Sequence, residues 1–189
     1  SVTPNESYDQ WTVLLRPVVV FHDGTPLDAD AIKWNFDNLH KRQGSVTFGS
    51  IRDIDRVEVI DELTVVYHLT QTVVPFPDML TRAVGWPVSP TAVQQYGEEA
   101  GLYPVGTGPF KLVSWRRDDR LVLERNEQYW REGLPYLDGI TFRPLPDEDA
   151  RVASLISGDM DAIQTLRQHI VDRLRRMSDI HLHPVCCAA

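Results

Sequence analysis

The sequence predicts the α/β class, in an α+β arrangement around a mixed sheet, and three observations carry the prediction. Asp28, Ser89 and Asp147 each have N-cap chemistry immediately before a helical stretch. Two pairs of strand-like segments, each joined by a polar turn, read as β-hairpins. A final strand–helix–strand run, Met160 to Val185, suggests a parallel crossover in a mixed sheet.

The elements follow in chain order. Trp11 to Leu15 is a first strand, and Val18 to Phe21 a second that ends at the turn His22-Asp23-Gly24-Thr25-Pro26. Asp28 caps a helix that carries Ile32, Phe36 and Leu39 at i, i+4 and i+7, one apolar face for a core. Ile54 to Ile60 alternates as a strand, Asp61-Glu62 turns, and Thr64 to Leu69 returns. Pro75 to Tyr96 reads as two short helices separated by Gly85-Trp86-Pro87, the second with Ser89 as cap and Pro90 at its first position. Phe110–Trp115 and Leu121–Glu124 form the next hairpin around Arg116 to Asp119, and Ile140 to Arg143 adds a strand. A helix runs from the cap Asp147 to Ser157 and stops at Gly158. Met160 to Ile163 is a short strand, Gln168 to Met177 a helix with Ile170, Val171, Leu174 and Met177 inward, and Ile180 to Val185 the last strand.

Composition narrows the functional classes. The 189 residues suffice for one sizeable core or two small lobes. An apolar fraction of 42% and a charged fraction of 24% exclude disorder as a description of the whole. The net charge of −8 excludes the clustered basic surface that nucleic acid requires. No apolar run of about 18 residues exists to span a membrane. Ser1 to Glu6 has neither a basic start nor an apolar run, so this chain is expected to carry no secretion signal. Cys186 and Cys187 are adjacent, which disfavours a relaxed disulfide, and they leave the redox compartment open. Nothing in Cys186-Cys187-Ala188-Ala189 says whether that ending is native.

Candidate chemistry is sparse. Gly106-Thr107-Gly108-Pro109 lacks the Gly-Lys-Ser/Thr ending of a phosphate loop, and Pro109 removes a donor, so it reads as a tight structural turn. His181, His183, Cys186 and Cys187 have metal-ligand identities without metal-ligand spacing, so no metal or cofactor is assigned. Asp147, Glu148 and Asp149 are explained by a helix N-terminus, whose dipole they offset. Asp159 and Asp161 flank a turn. No Ser/His/Asp or Cys/His set carries a supporting local signature. Asn126, Tyr129 and Trp130 at a strand exit read as core anchors.

The ordered motifs resemble the family 5 extracellular solute-binding proteins of ABC importers, which include dipeptide-, oligopeptide- and nickel-binding members. The first match is Trp11 to Pro17 with Val20-Phe21-His22-Asp23-Gly24-Thr25-Pro26-Leu27. The second is Pro104 to Phe110 with Leu123-Glu124-Arg125-Asn126 and Tyr129-Trp130. The third is Phe142-Arg143 through Asp147, then Ala150-Arg151, Ser157-Gly158 and Asp161. Val18 departs from the pattern, standing where the family usually has Gly, which implies an altered loop or a longer strand.

The resemblance implies a periplasmic-binding-protein-like type II lobe, with residues 1–189 forming part of the first lobe and the opening strands and second lobe absent. It implies non-catalytic binding of a short peptide or similar solute for uptake, and the membrane subunits of an ABC importer as partners. The implied location is periplasmic or extracellular, held to the membrane by the importer or by a lipid anchor not present in this chain. Nickel chelates and oligosaccharides are family alternatives. From other classes, a small α/β hydrolase with an unrecognised site and a structural piece that dimerises through surfaces of a missing lobe remain open. Arg82, Gly85 and Trp86, on an irregular connection between helices, are the first candidate ligand contacts. Gln164 and Thr165, at the exit of a short strand, are the second.

Overall fold

The computed structural model describes residues 1–40, 51–165 and 167–183. The chain divides into two compact units, Ser1–Phe142 and Arg143–Ala189.

In the first unit, β1 (Val2–Pro4), β2 (Gln10–Leu14), β3 (Ile54–Asp61) and β4 (Thr64–Leu69) form an antiparallel sheet ordered β1-β2-β4-β3. Its register sets Trp11 beside Tyr67 and Tyr67 beside Val57, all buried, so one row of the sheet supplies the centre of the core. Phe76 opens α2 (Phe76–Leu80) and places its ring 5.5 Å from Trp11 and 5.1 Å from Tyr67. Burial of such a ring contributes roughly 1.5–3 kcal/mol, and stacked or tilted aromatic geometry adds to it. α1 (Ala29–Asn35), continued by a π-helical turn to His40, brings Ala29 and Phe36 into the same cluster. Its cap is the one expected: the Asp28 carboxylate accepts from the Ala31 N–H at 2.7 Å.

A second sheet in this unit, ordered β5-β6-β7, is also antiparallel and comprises β5 (Phe110–Arg116), β6 (Arg120–Arg125) and β7 (Gly139–Phe142). Between the sheets in sequence lie a 3-10 turn, Ala83–Gly85, and α3 (Pro90–Tyr96), whose cap Ser89 accepts from the Ala92 N–H.

The second unit holds α4 (Glu148–Ser157) and α5 (Gln168–Leu174). Asp147 caps α4 through the Ala150 N–H, and Gly158 closes it in the left-handed conformation. Val152, Ile170 and Leu174 form its buried cluster, with Ile163, Met177, Ile180 and Leu182 packed around them.

Three expectations are corrected. Val18 to Phe21 is a turn, with one isolated bridge between Val20 and Pro26. Val18 takes φ +58° and is 94% exposed, so it keeps the left-handed turn conformation that glycine favours and no longer strand forms. Met160 to Ile163 and Ile180 to His183 are not strands, and no parallel crossover forms among the described residues. Short segments need a neighbour to satisfy their backbone; here Ile163, Ile180 and Leu182 serve as apolar packing instead. The end of the last predicted strand, 184–185, lies outside the described residues.

A β-branched residue in the left-handed region is strained by about 1–2 kcal/mol, while glycine there costs some unfolded-state entropy. Val18→Gly is therefore expected to stabilise the chain by roughly 0.5–1 kcal/mol, read as a higher urea midpoint at unchanged slope. A lower midpoint would show that the turn is not strained.

Candidate functional site

Two of the sequence motifs meet at one backbone atom. The Gly108 carbonyl accepts from His22 Nε2 and from the Asn126 side-chain amide, each at 3.0 Å. His22 also binds the backbone on the other side of the turn: its N–H donates to the Gly106 carbonyl at 2.9 Å, and its Nδ1 accepts from the Gly106 N–H at 3.4 Å. The ring is therefore the neutral tautomer with the proton on Nε2. Asn126 is 3% exposed; its N–H donates to Pro109 and its side-chain oxygen accepts from Gln128. The turn at Gly106 to Pro109 is thus a structural clasp, as read from its residues.

Next to it, the Ser89 hydroxyl donates to Asp23 Oδ2 at 2.5 Å, and Thr25 donates to Asp23 Oδ1 through its hydroxyl and its N–H. Burial alone would raise the Asp23 carboxyl, but these donors hold it below its ordinary value. Both His22 nitrogens engage the turn, so although Ser89 donates to Asp23, which follows His22 in sequence, the three do not form a nucleophile–base relay.

The connection Arg82-Ala83-Val84-Gly85-Trp86 is held from inside and open outside. Val84 is buried, while Arg82 is exposed and Trp86 is 65% exposed. Gly85 and Trp86 donate to the carbonyls of Arg82 and Ala83, which fixes the turn. A Cβ on Gly85 would sit 1.9 Å from the Leu80 carbonyl oxygen, so glycine is required by close backbone approach. Below the connection lies a cavity of about 100 Å³ whose lining includes Leu15, Phe36, Tyr67, Leu80, Val84 and Gly85. Asn35 is its polar member, with its side chain bound to the carbonyls of Ala31 and Val88 and to the Val88 N–H. Trp86, at 65% exposed, lies on the surface rather than in the core.

In the second unit, Gln164 is exposed and Thr165 half-buried. The Thr165 hydroxyl donates to the Glu148 carboxylate, which also binds Arg167 Nε at 2.7 Å. Glu148 is 8% exposed, so an acid expected merely to offset the helix dipole also tethers the approach to α5. That tether was invisible in sequence, because it joins residues 17 positions apart with no shared pattern.

Sequence reasoning also missed Arg16. Its guanidinium lies over the Trp130 ring at 4.7 Å, with Arg131 at 5.7 Å from the same ring. Trp130 is 39% exposed, so it is a surface stacking partner rather than the core anchor expected; Asn126 is the buried anchor. Among the described residues no group of three or more His, Cys, Asp or Glu is placed to hold a metal, and Cys186 and Cys187 lie outside them. Among the described residues, no helix is long and apolar enough to cross a membrane.

The scaffold is α/β, with two antiparallel sheets and a turn clasped by His22 and Asn126. The sequence profile described as bacterial extracellular solute-binding proteins, family 5 Middle, matches residues 1–183, and the chain belongs to this family. It is 38% identical over 161 residues to the glutathione-binding protein GsiB of Pectobacterium atrosepticum, covering 82% of this chain and 31% of that protein. To the Escherichia coli K12 protein of the same name it is 36% identical over 160 residues, covering 84% and 31%. The solute-binding protein MoaA of A. tumefaciens R10, solved with mannopinic acid, superposes with a TM-score of 0.86 at 30% identity, over 93% of this chain and 36% of that one. A Pseudoalteromonas dipeptide-binding protein shares the fold, with a TM-score of 0.83 at 19% identity over 95% and 40%. The chain spans about a third of the length of the curated relatives it matches.

The clasp carries a pH dependence. Burial pushes the His22 imidazole below its ordinary value, with the nearby Lys111 charge adding to that and the Gly108 bond and Asp23 opposing it. The unfolded chain takes up this proton near pH 6.5 while the fold resists it, so the contribution is complete above about pH 6.5. It is lost as pH falls through the lower folded value. Wild type is expected to lose more stability between pH 7 and 5 than His22→Gln, whose amide can replace the Nε2 donor without titrating. Parallel urea melts across that range measure it; equal slopes would remove His22 from the account.

Proposed function

We propose that the chain forms part of the first lobe of a two-lobed solute-binding protein, and that it binds a short peptide or similar small solute for an ABC importer. In this reading the opening strands and the second lobe belong to polypeptide beyond these 189 residues. The protein acts by binding rather than catalysis, outside the cytoplasmic membrane, and hands its ligand to the importer's membrane subunits. The observation that carries the reading is the exposed Trp86, on a short connection that also carries the exposed Arg82, is fixed at Gly85 and lines an apolar cavity. An exposed aromatic face on a fixed turn, with a cation on the same connection, suits a peptide-like solute that has both apolar and anionic groups. The relatives named for glutathione and for a dipeptide support a solute of that chemistry.

Arg82 and Trp86 are proposed as ligand contacts, with Gly85 setting their backbone. Gln164 and the backbone of Thr165 are proposed as contacts from the second unit. The hydrolase alternative is not favoured, because Ser89 and His22 are both engaged in holding backbone.

The test is a chimera in which residues 1–183 replace the matching third of the Pectobacterium glutathione-binding protein. It is expected to bind glutathione or a dipeptide saturably in calorimetry, and Trp86→Ala should weaken binding at least about tenfold, as loss of an interface tryptophan does. The 189-residue chain alone should show no binding in the micromolar range, since half a cleft leaves its ligand in water. Micromolar binding by the isolated chain, or an indifferent Trp86→Ala, would overturn the assignment.

A further inference from the structure

The sheet β5-β6-β7 has two chemically different faces. On one, the register aligns Trp115 with Leu121 and Leu121 with Phe142, and in the next row Leu112 with Leu123 and Leu123 with Ile140. The opposite face carries Ser114, Val122 and Thr141 in one row, and in the next Lys111 beside Glu124, whose charged groups are 3.8 Å apart. A sheet with one apolar and one polar face is built to carry a layer on the apolar side. The four central residues, Leu112, Leu121, Leu123 and Ile140, are half-buried, yet Trp115 is 44% and Phe142 54% exposed. None of these six belongs to the buried cluster of its unit, which gathers on the other sheet.

The apolar character continues beyond the strands. The third row pairs Phe110 with Arg125, and Phe110 borders an open groove of about 280 Å³ shared with Tyr129, Leu134, Tyr136 and Leu137. Tyr136 is 85% and Leu137 58% exposed. An exposed apolar surface reaching from Phe142 to Tyr136 marks an interaction face.

The length of the relatives points to what should cover it. MoaA superposes on 93% of this chain, yet this chain accounts for only 36% of MoaA, and for 31% of the glutathione-binding relatives. Nearly two-thirds of such proteins is polypeptide that these residues do not contain. We propose that the Leu112–Trp115–Phe142 face and the adjoining Tyr136 groove are the docking surface for that remainder, which lays an apolar layer across the sheet. The proposal rests on the lobe reading above and specifies which surface of the lobe the rest of the protein needs.

The test uses the double substitution Trp115→Lys with Phe142→Lys, in the isolated chain and in the chimera already described. In the isolated chain the two side chains are about half exposed, with the Arg117 guanidinium over the Trp115 ring, so the melting temperature should fall by less than about 5 °C. In the chimera the same change places two ammonium groups under the layer and should lower the melting temperature by about 10 °C or more. Hydrogen exchange in Leu112–Arg116 and Gly139–Phe142 should also be slower in the chimera than in the isolated chain. A loss above about 5 °C in the isolated chain would show the face already covered by these residues, and would overturn the proposal. So would an isolated chain that runs as a dimer dissociated by the substitutions, since the occupant would then be a second copy. A chimera that melts cooperatively but ignores the substitutions overturns the docking surface and leaves the lobe reading standing. A chimera that does not fold overturns both.

Discussion

The Gly108 carbonyl is the point on which the first unit depends. Two side chains from distant parts of the chain, His22 and Asn126, donate to that one oxygen. A carbonyl has two lone pairs, so both bonds can form at full strength. His22 stands on the turn that leads into α1 over the four-stranded sheet, whereas Asn126 leaves the three-stranded sheet directly after β6. The turn at Gly106 to Pro109 is thereby held by both parts of the unit, and the Ser89–Asp23 bond adds the start of α3 to the same knot. Half-buried polar groups justify their place only when satisfied, and here nearly every donor and acceptor of His22, Asp23, Ser89 and Asn126 is used.

That knot explains why the sequence was legible as far as it was. Phe21-His22-Asp23-Gly24-Thr25-Pro26 and Gly106-Thr107-Gly108-Pro109 look like separate motifs along the chain, and the structure makes them one. A phosphate-loop reading of the glycines meets a physical obstacle: the Gly106 amide and carbonyl bind His22, and the Gly108 carbonyl binds His22 and Asn126. The caps Asp28, Ser89 and Asp147 were legible because capping is local chemistry, decided by a side chain and an amide three residues on. The two hairpins were legible through alternation and turn residues for the same reason.

What escaped is what depends on partners distant in sequence. β1 is three residues long and ends in proline, too short to show a period, and only its pairing with Trp11 to Val13 makes it a strand. Val18 to Phe21 has the residue types of a strand, but the chain reverses at Val18, and Val20 finds only Pro26. Exposure of tryptophans was equally illegible. Trp11, Trp86, Trp115 and Trp130 are the same residue type, yet Trp11 is 4% exposed and the other three between 39% and 65%. Of the candidate contacts, Gly85 acquired a steric reason and Thr165 a tether to Glu148, neither of which any spacing announces.

The distribution of exposed aromatics separates two kinds of surface. Trp86 stands on a fixed turn with a cation nearby in sequence and a small cavity lined by the same connection, which suits the small solute proposed for it. Trp115, Phe142 and Tyr136 are spread along a sheet face and its margin, whose two central rows carry only apolar side chains, with the Arg117 guanidinium 5.8 Å from the Trp115 ring at one edge; the breadth matches an apolar layer. A ligand that must leave again cannot require a surface of that breadth, because each buried aromatic would slow release without adding selectivity. A permanent partner within the same protein faces no such constraint. The proposed solute contact at the turn and the proposed docking face on the sheet therefore make different demands, the first on reversible binding and the second on lasting burial.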